Sequence, residues 1–455
     1  MARPSSWKMS DEMKRKIVFA LVLIALFVPS ARADLVKKAK QFVAMLQEQD
    51  YEGAAATFDE KMTKLMSPSR LKGTWEELLS NLGPLKAIMA AKKEKIKNFD
   101  MVILLGKFEK TAFDIKLVFD KKQRVSGLFF APAKTKVRYS KPPYVQQNKF
   151  KEREVTVDVG GWPLPGTLTV PKGTGPFPAL VLVHGSGPND RDETLGPNKP
   201  FRDIAWGLAS QGIIVLRYDK RTMVHGAKVM KQIGSFTADD IVVDDAVAAA
   251  KLLINTPDVD GQKVYLLGHS LGGMMAPRIA TRAPFLAGII ILAGLARDLA
   301  DTLLDQYTYI FNLDGAISPP EQQKLDEVNS TISKIKNLTP KDSGASEILI
   351  MGCADFWLDL RKYDPPRVAK TLDMKILVLQ GGRDYQVTND DWRLWATALS
   401  GKQNVRARKY GKLNHLFFEG YGPCTPNEYQ TQRNVEPYVI KDIASWILSG
   451  QLTPQ

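Results

Sequence analysis

A serine set among glycines at the end of an apolar run is the first place in this sequence where chemistry could happen. In VYLLGHSLGG, residues 264–273, the run stops at Gly268, and Ser270 is followed by Gly272 and Gly273. Small residues two positions either side of a serine permit a tight strand-to-helix turn that presents the hydroxyl at the top of a sheet. Such a serine is a nucleophile only when a neighbouring base takes its proton, and histidine titrates in the range that task needs. The chain has four histidines. His269 is directed away from the serine by the turn itself, His184 ends a strand in VHGSGP, and His225 lies in a glycine-containing loop. His415, in GKLNHLFF, follows the last run of strand character and is the candidate base, with His225 the alternative. A carboxylate must fix the imidazole tautomer and stabilise its cation. Asp384, in LVLQGGRDYQV, comes directly after a strand, whereas Asp390 and Asp391 open the next helix as caps and Asp373 precedes the strand. The oxyanion of a tetrahedral intermediate needs backbone amides, and those of Leu271 and Ser186 are the candidate donors, the second from the glycine loop HGSGPNDRD.

Other chemistries find less support. GSGPND lacks the Lys-Ser/Thr ending of a phosphate loop, and no G-x-G-x-x-G accompanies it. The histidines have no metal-ligand spacing and two cysteines are too few for a Cys-rich site, so neither cofactor nor metal is expected. Asp190, Arg191, Asp192 and Glu193, with Asp219 and Arg221 of RYDKRT, read as ion pairs around the oxyanion loop.

The elements that must position these residues fall between 150 and 455. REVTVDV and LPGTLTVP read as a hairpin, after which PALVLVHG, GIIVLRYD, KVYLLGHS, LAGIIILAG and MKILVLQGG alternate with helical segments. Continuous Val/Ile/Leu runs alternating with helices indicate an α/β domain with a mostly parallel sheet covered on both faces. Residues 296–370 break the alternation and read as a helical cap, with Tyr307, Tyr309, Phe311, Phe356 and Trp357 its aromatic content, more lid core than acyl pocket. Ahead of this domain, residues 34–130 read as a small α+β domain. Its helices cover 34–60 and TWEELLSNL, the latter capped by Thr74, and short strands fill about 94–130. Residues 131–149, basic and proline-containing, read as a linker.

HGSGPNDRDETLGPNKPFRDIAWGLASQGIIVLRYDKRT, followed by GHSLGG, GGRDYQV and the late His415, resembles secreted bacterial carboxylesterases of the EstD type, in the α/β-hydrolase superfamily. The similarity covers about 150–450, and the order serine, aspartate, histidine is the one such a sheet carries. The resemblance implies a serine esterase with a helical cap, acting without a cofactor on short acyl esters, with Ser270 the nucleophile, Asp384 the acid and His415 the base. Thr222 stands where the family usually has a glycine. Acyl-peptidases and thioesterases share these motifs, and a binding protein with a vestigial site is the reading from another class.

Composition fits such a protein. Of 455 residues, 44% are hydrophobic and 25% charged. Lys14, Arg15 and Lys16 precede the apolar run Ile17–Val28, and Ala31 and Ala33 follow in A-x-A spacing. The run is too short to span a bilayer, so residues 1–33 read as a secretory signal cleaved after Ala33, leaving an exported protein. The net charge of +14 is uneven: residues 34–150 hold 23 basic and 13 acidic side chains, residues 151–455 hold 34 of each. Nucleic acid is not expected as a partner; the charge of the first domain reads as a solvated basic face, with weak contact to an anionic surface the alternative, and the oligomeric state stays open. Cys353 and Cys424 leave two readings open, a bridge that ties the cap to the loop after His415 and a pair of buried free thiols.

Overall fold

The computed structural model describes residues 31–96, 99–109, 111–133 and 139–454. The expected signal segment lies outside them except for its last three residues. The chain divides into two compact units, residues 1–136 and 137–455.

The first unit has helices α1 (Ala31–Gln47), α2 (Tyr51–Ala56), α3 (Glu60–Leu65) and α4 (Pro68–Leu82), then strands β1 (Leu85–Ile96), β2 (Phe99–Phe108), β3 (Ala112–Phe119) and β4 (Val125–Pro132). The strands form an antiparallel meander in chain order. Phe42, Val43 and Leu46 share one face of α1 and pack with Val102, Leu104, Ile115 and Leu117 of the sheet. Trp75, fully buried, lies against Phe108 and Phe130. Two expectations are corrected here. Helix α4 starts earlier than Thr74: the Ser67 hydroxyl accepts from the Arg70 amide at 3.2 Å and Pro68 occupies the first turn, while the Thr74 hydroxyl donates back to Arg70 O. Strand β1 was not anticipated over most of its length, because Lys86, Lys92, Lys93 and Lys95 fill it and Leu85 alone is buried.

The second unit is an α/β domain, as read. It has strands β5 (Phe150–Val157), β6 (Leu164–Pro171) and β7 (Phe177–Val183), helix α5 (Pro200–Ala209) and strand β8 (Ile214–Tyr218). Short helices α6 (Arg221–Val224) and α7 (Gly226–Lys231) precede helix α8 (Asp244–Ile254), strand β9 (Val259–His269), helix α9 (Leu271–Arg282) and strand β10 (Gly288–Leu292). The cap, α10 (Leu299–Phe311), α11 (Pro319–Asn337), α12 (Ala354–Leu360) and α13 (Pro365–Thr371), intervenes before strand β11 (Lys375–Gly381). Helix α14 (Asn389–Ala398), strand β12 (Val405–Tyr410) and helix α15 (Pro437–Ser449) close the chain. The sheet order is β12-β11-β10-β9-β7-β8-β6-β5. Its two ends differ: β5–β6 and β6–β8 are antiparallel, and every other pairing is parallel.

Because side chains alternate along a strand, the sheet separates two apolar cores. Val181, Ile289, Ile291 and Val378 face α8, α9 and the cap, with Ala246, Met275 and Trp357 opposite them. Leu180, Leu182, Ile290 and Leu379 face α5 and α15, with Phe201, Ile443 and Trp446 opposite. This division decides against the disulfide. Cys353 belongs to the first core and Cys424 to the second, so the sheet stands between two free, buried thiols. The Cys353 thiol donates instead to Phe236 O at 3.3 Å, and burial raises the Cys424 thiol to about 11.

Candidate active site

Ser270 sits on the residue joining β9 to α9, with φ 54° and ψ −116°, a conformation strained for any residue with a side chain. The flanking glycines are required by contact. A Cβ on Gly268 would meet Gly272 O at 2.0 Å, and one on Gly272 would meet Val183 O at 2.4 Å. Leu271 is the first residue of α9, so its amide has no acceptor within the helix and is one of the groups that give a helix N-terminus its positive character.

The other site residues lie past the carboxyl ends of neighbouring strands. Asp384 follows β11, and its Oδ1 accepts from the amides of Gln386 at 2.8 Å and Val387 at 3.0 Å. Its Oδ2 accepts from Gln380 Nε2 at 3.1 Å and lies 2.7 Å from His415 Nδ1. The carboxylate is thereby fixed in the plane needed to hold one imidazole tautomer. His415 occupies a tight turn after β12 whose corner is Asn414: its side-chain oxygen accepts from the amides of Leu416 and Phe418, both at 3.1 Å. Gln380 and Asn414 were not anticipated. Asn414 carried a signal, a residue prone to bond its own turn, directly before the histidine.

Ser270 and His415 line one cavity of about 210 Å³, together with Ser186 of the glycine loop. The cap contributes Leu299, Leu303 and Gln306 from α10 and Met351. Gln306 Nε2 donates to Gln386 O at 3.0 Å, tying α10 to the loop that holds Asp384. The cap aromatics are elsewhere: Phe356 and Trp357 pack edge to face in the core, and Tyr309 stacks on Tyr385 with centroids 4.9 Å apart. A larger cavity of about 630 Å³ lies between the cap and α14, but none of Ser270, Asp384 and His415 lines it.

The remaining histidines have other partners. His225 Nε2 lies 2.9 Å from Pro163 O at an exposed position against Trp162, away from the cavity. His184 is buried between Phe201 and Tyr218, and burial pushes it down to about 4, so it is neutral. His269 Nε2 lies 3.1 Å from His415 O, and its Nδ1 is 2.9 Å from Glu193 Oε2, an ion-pair approach not aligned as a hydrogen bond. Burial would lower His269 and raise Glu193; their mutual attraction outweighs this and shifts each the other way.

The charged residues of the glycine loop are tied to the scaffold. Arg191 pairs with Asp219 at 2.9 Å and with Glu154, and Asp192 accepts from Lys199 at 2.9 Å and pairs with the buried Arg217. Arg221 pairs with the buried Asp245. Thr222 lies inside α6, where helical backbone requires no glycine. Asp390 is exposed beside Arg393, while Asp391 is buried and caps both α14 and the Ala296–Arg297 amides.

A half-buried serine at a strained elbow, an imidazole oriented by a fixed carboxylate, a helix N-terminal amide directly after the serine and Ser186 on the same cavity can carry acyl transfer. The sequence profile of the Alpha/beta hydrolase family matches residues 180–418, and that of a protein family of unknown function, DUF3887, matches residues 39–128. Esterase EstD of Thermotoga maritima is 38% identical over 407 residues, covering 90% of this chain and 94% of that protein. Esterase FrsA of Shigella boydii serotype 18 is 29% identical over 150 residues, 33% of each chain. Among solved structures, a hyperthermophilic esterase from Pyrobaculum calidifontis aligns with a TM-score of 0.42 at 17% identity, covering 67% of this chain and 87% of that one.

Proposed function

This chain belongs to the alpha/beta hydrolase family, and from that premise we propose that it is a serine carboxylester hydrolase whose nucleophile, base and acid are Ser270, His415 and Asp384. The observation that carries the assignment of roles is the 2.7 Å contact of Asp384 Oδ2 with His415 Nδ1, on an imidazole that lines the same cavity as the Ser270 elbow.

His415 Nε2 takes the Ser270 proton as Oγ attacks the ester carbonyl. The Leu271 and Ser186 amides stabilise the oxyanion, His415 returns the proton to the departing alkoxide, and an acyl-enzyme remains. Water, deprotonated by the same imidazole, then releases the carboxylic acid and restores Ser270. Asp384 holds the imidazole tautomer and stabilises its cation throughout. Acyl groups of short to medium length fit a cavity of about 210 Å³ whose cap side is Leu299, Leu303 and Met351. A fluorophosphonate probe should label Ser270 stoichiometrically, and p-nitrophenyl esters of increasing chain length should be turned over while peptide amides are not. A chain that neither labels nor hydrolyses would be a binding protein instead.

The same reading extends to where the enzyme works. The basic residues Lys14–Lys16, the apolar run to Val28 and the Ala31/Ala33 spacing support export with cleavage after Ala33, so the mature chain should begin at Asp34 by N-terminal sequencing. The excess of ten positive charges in residues 34–150 supports weak attachment to an anionic surface, seen as retention on anionic vesicles that fades as salt rises.

A further inference from the structure

Gly185 is held on both sides by buried charge. Its amide donates to Glu193 Oε1 at 2.7 Å, and its carbonyl accepts from Lys220 Nζ at 2.6 Å. Asn189 Nδ2 approaches the same carbonyl at 3.3 Å and donates to Ser186 O at 2.9 Å. The Lys220 amide bonds Asn189 O at 3.0 Å, so the loop carrying Ser186 and the turn after β8 are joined through backbone as well. Lys220 is 4% exposed. Gly185 lies beside the nucleophile: a Cβ there would sit 3.1 Å from Ser270 Cβ.

A buried ammonium is costly to desolvate, and a neutral donor such as an amide could hold the same loop shape. What the cation adds follows from peptide geometry. Gly185 C=O and Ser186 N–H belong to one planar trans peptide, so they point in opposite directions. A cation drawing on the carbonyl oxygen makes the amide hydrogen on the far side a stronger donor and fixes its direction. Ser186 lines the cavity that Ser270 lines.

We propose that Lys220 is a positioning residue for the oxyanion: its ammonium, bonded to Gly185 O, aims and polarises the Gly185–Ser186 peptide so that the Ser186 amide stabilises the tetrahedral intermediate. Glu193 fixes the preceding amide and supplies the compensating charge, and His269 links Glu193 to the backbone of His415. The proposal rests on the esterase reading above. The groups facing Lys220 are Glu193 on the glycine loop, Asp245 on α8 with its partner Arg221, and His184 at the end of β7. Burial pushes Lys220 down to about 8 against the pull of Glu193 and Asp245.

The test compares the full chain with Lys220→Met and Lys220→Arg on one p-nitrophenyl ester. Lys220→Met should lower kcat about 10–100-fold, less than deleting an oxyanion donor outright, with KM within about threefold if binding is untouched. Its affinity for a trifluoromethyl ketone, which forms a tetrahedral adduct on Ser270, should fall by the same factor as kcat/KM. A role confined to loop structure would not tie those two losses together. In the native enzyme, kcat should decline above pH 8, and Lys220→Arg should move that limb upward. Lys220→Met with kcat and ketone affinity within twofold of native overturns the proposal. So does a native profile that stays flat through pH 9.5, a measurement that needs no variant to fold. Ser270→Ala, run in parallel, separates the two readings: activity surviving there overturns the esterase assignment itself.

Discussion

Ser270, His415 and Asp384 act as one unit in this reading, so their removal should be costly and not additive. Ser270→Ala and His415→Ala should each lower kcat by about 10⁴-fold or more, measured on a p-nitrophenyl ester. Asp384→Asn should keep the fold, since an amide oxygen still accepts from Gln386 and Val387, yet lose a comparable factor by favouring the wrong tautomer of His415. Turnover within tenfold of native in any of the three would break the assignment. His184 gives a second residue-level prediction, in stability. The unfolded chain binds a proton there below about 6.5, whereas the folded chain binds it only near 4. Unfolding therefore takes up a proton between those values, and stability falls as pH drops through that window, by up to about 3 kcal/mol. Denaturant melts at pH 7 and pH 4.5 should show a smaller loss in His184→Phe, a replacement that suits a site packed by Phe201 and Tyr218 with its Nε2 unpartnered.

At the scale of elements, the cap decides what the site admits. Leu303 projects from α10 into the cavity shared with Ser270. Leu303→Trp should lower kcat/KM for hexanoyl and longer esters about tenfold or more while acetyl esters change little, because each displaced methylene is worth on the order of 1–3 kcal/mol. Equal losses across the series would place the acyl chain elsewhere. The elements carrying chemistry were the legible ones. Strands β10 and β11 and the second half of β9, from Val264, are buried on both faces, so they read as apolar runs, and the residues just past their ends stand out. Strand β1 shows no alternation, and its short apolar stretch, residues 87–91, is set between lysines; pairing with β2 holds it, and pairing leaves no mark in composition. The start of helix α4 is not legible, because its first six residues, PSRLKG, have little apolar pattern and Thr74 before Trp75 reads as the boundary. Lys220 and Glu193 were visible only as charges. Glu193 reaches Gly185 within the glycine loop, but Lys220 is brought there by the return of the chain through α5 and β8, which no local pattern states.

At the scale of the whole molecule, the sheet of the second unit partitions the interior, and the two cysteines fall on opposite sides of it. With no bridge between them, reductant should leave the thermal midpoint unchanged, and denatured, unreduced protein should yield two alkylatable thiols. A shift in melting on reduction would mean a bridge after all. The placement also turns the chain into its own two-channel recorder of breathing. Each thiol meets a reagent in solution only when its own side of the sheet opens, so mass-resolved labelling under native conditions reads two opening equilibria from one sample. Equal rates at Cys353 and Cys424 would mean that the domain opens as a single cooperative body. A faster rate at Cys353 would report α12 lifting, a motion invisible to the Cys424 channel, and the ratio of the two rates would measure how far the cap moves independently of the catalytic sheet.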